Sequence, residues 1–178
     1  MQPSRENSNS VKTILDILKL DEGSPIDSFR SVQKKWEENP YKITTELLKS
    51  LENKNKEKQL RINIANFLHR NEKYNRSDET KLKRPMHSID KMIINSFIKI
   101  ITDKKEDREL REKIIWGFTS GFLLFSPLSQ SYKRDVITAL NNIVDDNSEN
   151  KNIQNAAKET LTLEKNGKWI PLLKKEKD

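Results

Sequence analysis

Residues 89–128, IDKMIINSFIKIITDKKEDRELREKIIWGFTSGFLLFSPL, hold the densest apolar content of a 178-residue chain in which 34% of residues are charged. Apolar side chains recur three and four positions apart on both sides of the charged segment 103–107. That spacing lines them along one face of an α-helix, so the stretch reads as two helices joined by a short turn. Similar pairs recur upstream and downstream. The chain has only 4 Gly and 6 Pro, too few for the many tight turns of a β-sandwich. Lys, Glu, Asn, Ile and Leu dominate, which favours helix. The expected fold is all-α.

Residues 1–9 form a polar leader, and Ser10 caps a first helix carrying Val11, Ile14, Leu15 and Leu18. Ser24-Pro25 starts a second, striped by Ile26, Phe29, Val32 and Trp36, which Asn39-Pro40 stops. A second pair begins near Tyr41: Ile43, Leu47, Leu48 and Leu51, a turn ENKNKEK, then Leu60, Ile64, Phe67 and Leu68, ending near Arg70. Residues 71–86 lack periodicity and read as a long loop. The central pair starts at a Ser88 cap, with Ile89, Met92, Ile93, Phe97, Ile100 and Ile101 answered by Leu110, Ile114 and Phe118. The last pair starts at Ser129: Tyr132, Val136, Ile137, Leu140, Ile143 and Val144, a turn DDNSEN, then Ile153, Ala156, Ala157 and Leu161. A domain over 10–165 results, about four helix pairs long. The tail 166–178, with Trp169, Ile170, Leu172 and Leu173, is expected to cap its end.

The second helices align with one another. LRINIANFL at Leu60, LREKIIWGF at Leu110, IQNAAKETL at Ile153 and, more loosely, FRSVQKKW at Phe29 begin with an apolar residue followed by Arg or Gln, at offsets of 31, 50 and 43 residues. The last two offsets lie close to the roughly 40–47 residues of HEAT and armadillo units. With its acidic turn and following Leu-Arg at residues 107–111, the chain resembles a HEAT-repeat α-solenoid over about residues 10–165. The resemblance implies a right-handed stack of antiparallel helical hairpins that binds proteins or nucleic acids on the surface lined by its second helices. A few proteins of that kind are enzymes, among them alkylpurine glycosylases and phycobilin lyases, but no residue pattern here carries either activity over.

Several function classes find no support. With no Cys, a disulfide framework, a Cys-ligated zinc, an iron–sulfur cluster and a thiol nucleophile are excluded. His69 and His87 belong to no HxxxH or HExxH arrangement, so no metal site is expected, and His69 near a helix end would complement the helix dipole. Glu106, Asp107, Glu109, Asp145 and Asp146 sit in turns at helix starts, where acids ordinarily favour the dipole rather than do acid–base work. Segment 117–121, GFTSG, lacks the preceding strand of a nucleophile elbow and would serve close helix packing. The expectation is a non-enzymatic, cofactor-free protein. The opening MQPSRENSNS is no secretory signal, and the interrupted apolar run 114–125 falls short of the about 20 residues that span a bilayer. A cytoplasmic location without membrane contact is expected.

Two binding surfaces compete. Net charge is +7, with 12 basic against 6 acidic residues in 51–100 and 7 against 4 in 151–178, while the other quarters are near balance. Lys54, Lys56, Lys58, Arg61, Arg70, Lys81, Lys83 and Arg84 would contact phosphates if the partner is a nucleic acid. Interleaved Glu52, Glu57, Asp78 and Glu79 favour instead an ordinary solvated surface, and of these two readings of the basic residues that is the preferred one. A protein partner, the reading preferred here, would meet the second helices through Arg61, Asn63, Asn66, Arg70, Arg111, Lys113 and Trp116. Trp116 lies roughly opposite the Leu110–Ile114–Phe118 stripe, so it is either an exposed anchor or a flank buried against a neighbouring helix. Stacked hairpins favour the buried flank.

Overall fold

The computed structural model describes residues 5–19, 26–75, 86–120 and 130–165, and side chains within 11–19, 31–69, 88–119 and 132–165. These residues form eight helices and no strand: α1 Arg5–Lys19, α2 Ile26–Glu38, α3 Pro40–Glu52, α4 Lys58–Asn75, α5 Met86–Thr102, α6 Arg108–Ser120, α7 Gln130–Asp145 and α8 Lys151–Lys165. The fold is all-α.

Several boundaries differ from the sequence reading. Ser10 lies inside α1, which already starts at Arg5 within the expected leader. Asn39 does more than end α2. Its side chain accepts a hydrogen bond from Lys42 N at 3.4 Å and caps α3, with Pro40 in the first turn. α4 runs past Arg70 to Asn75, and α5 begins at Met86, two residues before Ser88. The expected loop 71–86 is thus helical at both ends. Its residues 76–85, the Ser24-Pro25 cap, Ser129 and the tail 166–178 lie outside the described residues.

The chain divides into two compact units, residues 1–67 and 68–178. In the first, α1 packs on both α2 and α3, and α2 on α3. The three-way contact departs from a simple pair for the first two helices. Ile14, Val32, Trp36, Leu47 and Leu51 are buried. Trp36 also donates its indole N–H to Thr44 Oγ1 at 2.8 Å, so the polar edge of the ring keeps a partner in the core. In the second unit α5 packs on α6 and α7 on α8, while α5 also touches α7 and α6 makes its largest contact with α8. Ile94, Phe97, Ile101, Leu110, Ile114, Ile115, Phe118, Val136, Leu140, Ile153 and Ala157 form this core. Each large apolar side chain there contributes about 1.5–3 kcal/mol by leaving water.

The turns α3–α4, α5–α6 and α7–α8 share one hydrogen-bond pattern. Asn53, Asp103 and Asp146 each accept, through Oδ1, from the backbone N–H two residues on, at 3.0, 2.9 and 2.9 Å. Their carbonyls accept from the N–H three residues on, at 2.9, 3.0 and 2.9 Å. Glu57, Asp107 and Asn150 then open the next helix, their carbonyls accepting from Arg61, Arg111 and Gln154 N–H at 3.2, 3.1 and 3.0 Å. A short acid or amide that hydrogen-bonds its own backbone two residues on is what an Asx turn requires. This chemistry sets the recurrence at Leu60, Leu110 and Ile153.

Candidate functional site

The residue after each of those apolar positions turns inward. Arg61 Nε donates to Leu51 O at 2.6 Å, Arg111 Nε and Nη2 donate to Ile101 O at 2.9 and 2.6 Å, and Gln154 Nε2 donates to Val144 O at 3.2 Å. Each acceptor lies ten residues back, on the last turn of the preceding helix, where carbonyls have no intrahelical partner. A cation at that negative helix end also interacts favourably with the dipole. Arg61 and Arg111 are buried, so the structure corrects their assignment to a contact face. Recurrence of Leu-Arg was the signal, and it marked a helix-to-helix clip.

Arg111 goes further. Its Nη1 and Nη2 donate to Glu149 Oε1 and Oε2 at 3.0 and 2.6 Å, a bidentate pair whose side chains are 3% and 4% exposed. Glu149 belongs to the α7–α8 turn, so the pair clasps two successive hairpins. The Arg111 guanidinium holds the Glu149 carboxyl below its ordinary range against the opposing effect of burial, helped by the Asn150 N–H at 2.7 Å. Lys104 bridges the same two turns at the surface, through an ion pair to Asp146 and a hydrogen bond to Ser148 Oγ at 2.6 Å. Hydrogen bonds from Lys104 and Ser148 take the Asp146 carboxyl down to about 2.

Asn63 is also committed internally. Its Nδ2 donates to Leu18 O at 2.7 Å and its Oδ1 accepts from Gln59 at 2.9 Å. Asn66 is half-buried, and the Arg70 side chain lies outside the described residues. Of the expected protein-binding set, Lys113 and Trp116 remain at the surface, one helical turn apart on α6. Trp116 is 39% exposed, which overturns the buried flank favoured from the sequence. The flank that α6 does bury beside its stripe is supplied by Arg111 and Ile115.

Of the expected nucleic-acid set, Lys54 and Lys56 on the α3–α4 turn and Lys58 at the start of α4 are exposed, Arg61 is buried, and Lys81, Lys83 and Arg84 lie outside the described residues. Described side chains of 88–119 and 132–165 carry 12 basic and 12 acidic groups, so α5–α8 present no net positive field.

The remaining candidates are structural. Asp107 Oδ1 accepts from Leu110 N–H at 3.1 Å and caps α6, and Glu106 Oε1 accepts from Asp107 N–H at 2.8 Å. Glu109 and Asp145 are exposed at helix ends. His69 is not at the end of α4, because the helix continues to Asn75, and it is buried rather than facing a dipole. Its ring centroid lies 4.4 Å from Phe97 and 5.5 Å from Phe118. A Cβ on Gly117 would overlap the His69 ring, so this glycine makes room for the imidazole. His87 has no described side chain. Among the described residues no His, Asp and Glu grouping has the form of a metal site, and no helix is long and apolar enough to cross a membrane.

Comparison with known protein families, curated proteins and solved structures finds no match.

Proposed function

We propose that the chain is a non-catalytic, HEAT-like scaffold that binds another protein through its second helices, with Trp116 and Lys113 of α6 as the central contacts. The observation that carries the reading is the exposed Trp116 on a helix whose other large apolar side chains are buried. Tryptophan is the residue type most often found to anchor a protein interface, and leaving it in water is unfavourable unless something covers it. The repeated turn supports the architectural part, as does the pairing of α5 with α7 and of α6 with α8, which places first helices beside first helices and second beside second.

A second reading rests on Lys54, Lys56 and Lys58, three exposed cations within five residues. It makes the chain a nucleic-acid-binding module that contacts phosphates through that turn.

One experiment separates them. A photo-crosslinking amino acid is placed at position 116, or at exposed Lys91 as control, in the cells that make the protein. A discrete protein adduct at 116, absent at 91 and reduced by Lys113→Glu, is the expected result. No adduct at 116, together with salt-dependent anisotropy binding to short RNA or DNA that Lys54→Ala/Lys56→Ala/Lys58→Ala abolishes, refutes the scaffold reading in favour of the second.

A further inference from the structure

Both ring nitrogens of His69 are buried, and neither makes a hydrogen bond of good geometry. An unpaired buried polar group is costly, and an imidazole in that state tolerates one ring proton and not two. Its seat is made by α5 and α6: Phe97 against one face of the ring, the edge of Phe118, and the bare Cα of Gly117. Phe97 and Phe118 also pack on each other, 6.1 Å between centroids. Replacing His69 by an apolar residue would satisfy such a site without any polar cost, so the imidazole is the unexplained feature of this core.

We propose that His69 is an acid-sensitive latch: a second ring proton drives the imidazole out of the Phe97–Phe118–Gly117 seat and frees the His69 turn of α4 from the α5–α6 hairpin.

Among the described side chains of α5 and α6, none that is charged is placed to stabilise the imidazolium where it sits. On α5 the charged residues are Asp90, Lys91 and Lys99. Asp90 is buried two helical turns before Phe97 and acts on Tyr132, whose phenol is raised by burial and then by Asp90 and Asp135, while Lys91 and Lys99 are exposed. On α6 they are Arg108, Glu109, Arg111, Glu112 and Lys113. Arg111 is held by Ile101 O and Glu149, Glu112 is half-buried with an ion pair to Arg108, and Arg108, Glu109 and Lys113 are exposed. The Ile114 backbone favours the proton less than burial opposes it, and burial takes His69 from 6.5 down to about 3.

The sign follows. A histidine depressed in the docked state is neutral in both states above pH 6.5, so docking has its full strength there. As pH falls below 6.5 the released ring takes up a proton that the docked ring refuses, and docking weakens continuously down to about pH 3. At pH 5 the opening equilibrium is about 30-fold larger than above pH 7.

The test uses the full chain, which has only 2 histidines. With ring-labelled histidine and His87→Gln to leave one signal, NMR follows His69 from pH 7.5 to 4 while hydrogen exchange, corrected for intrinsic rate, follows amides of 68–75. The expected result is a ring that stays neutral in the docked protein below pH 5. Amide opening should rise about 25-fold between pH 7 and 5, and His69→Leu should lose that rise. A ring that titrates near pH 6.5 without amide opening, or a His69→Leu protein with the same acid-driven rise, overturns the latch. Should His69→Leu fail to fold, the ring titration decides alone.

Discussion

The Arg111–Glu149 pair gives the sharpest energetic test, because the protein already contains a natural comparison in Gln154. An arginine at this position has two separable jobs, closing the carbonyl of the preceding helix and gripping the carboxylate of the next turn. Gln154 does only the first, toward Val144 O and also Asp146 O at 2.8 Å. Arg111→Gln should therefore keep the clip to Ile101 and leave the Glu149 carboxylate buried without its cation. Glu149→Gln leaves the opposite charge stranded. Breaking one partner of a buried pair costs about 3–5 kcal/mol, and each change should cost about 3 kcal/mol because an amide still fills the space. The double change Arg111→Gln/Glu149→Gln removes both charges together and should cost only about 1–2 kcal/mol, a coupling of about 4 kcal/mol. Native-state hydrogen exchange of α6 and α8 amides across a urea series measures all three. Additive losses, or single changes below about 1 kcal/mol, would refute the clasp. Acid gives an independent check. Because Arg111 depresses the Glu149 carboxyl in the fold, the stability it adds is present above the unfolded value of 4.5 and is lost as pH falls through the folded value. The gap between wild type and Glu149→Gln should therefore narrow in acid.

Three further outcomes follow from single contacts. Gly117→Ala should lower stability by about 2 kcal/mol or more, because its Cβ meets the His69 ring, and His69→Ala in the same chain should relieve part of that loss in a thermal melt. Trp36→Phe should cost about 1–3 kcal/mol in urea unfolding, since Thr44 Oγ1 loses its indole donor in a fully buried site. NMR titration of the Asp146 carboxyl should give a midpoint near 2, returning toward the ordinary aspartate value of 3.8 in Lys104→Ala, whereas an unchanged midpoint removes Lys104 as the cause.

Helix periodicity was legible because it follows from burial on one face. Leu60, Ile64, Phe67 and Leu68, or Leu110, Ile114 and Phe118, mark their helices whatever packs against them. Helix ends were harder, since 71–75 carry no apolar stripe and yet continue α4, and 5–9 continue α1 backwards. The turn repeat was visible as a sequence alignment, but its meaning was not. Arg61 and Arg111 read as surface cations because arginine is seldom buried, and only the carbonyls of Leu51 and Ile101, ten residues back, reveal why they are inside. Glu149 carried no local signal at all, since its partner is 38 residues away. Trp116 went the other way. Helical angle alone placed it opposite the stripe, and that simpler reading agrees with its exposure, whereas the added expectation of flank burial was met instead by Ile115.

The same contacts determine how firmly the proposed binding residues are held. α6 is fixed near its start by Arg111, which ties it to the end of α5 and to the α7–α8 turn, and near its finish by Phe118 and Gly117 against His69. Lys113 and Trp116 lie between those two anchor points on a helix of 13 residues. A backbone held at both ends has little conformational freedom left to lose when a partner docks, so a single exposed indole can contribute more to affinity there than on a loop. Releasing either anchor should then weaken partner binding without touching Trp116. Glu149→Gln, which acts on α6 through Arg111, should lower affinity mainly through slower productive association or added disorder in α6. Unchanged affinity in that variant, alongside loss in Trp116→Ala, would show that the indole acts by contact area alone and that the rigidity of α6 serves stability only.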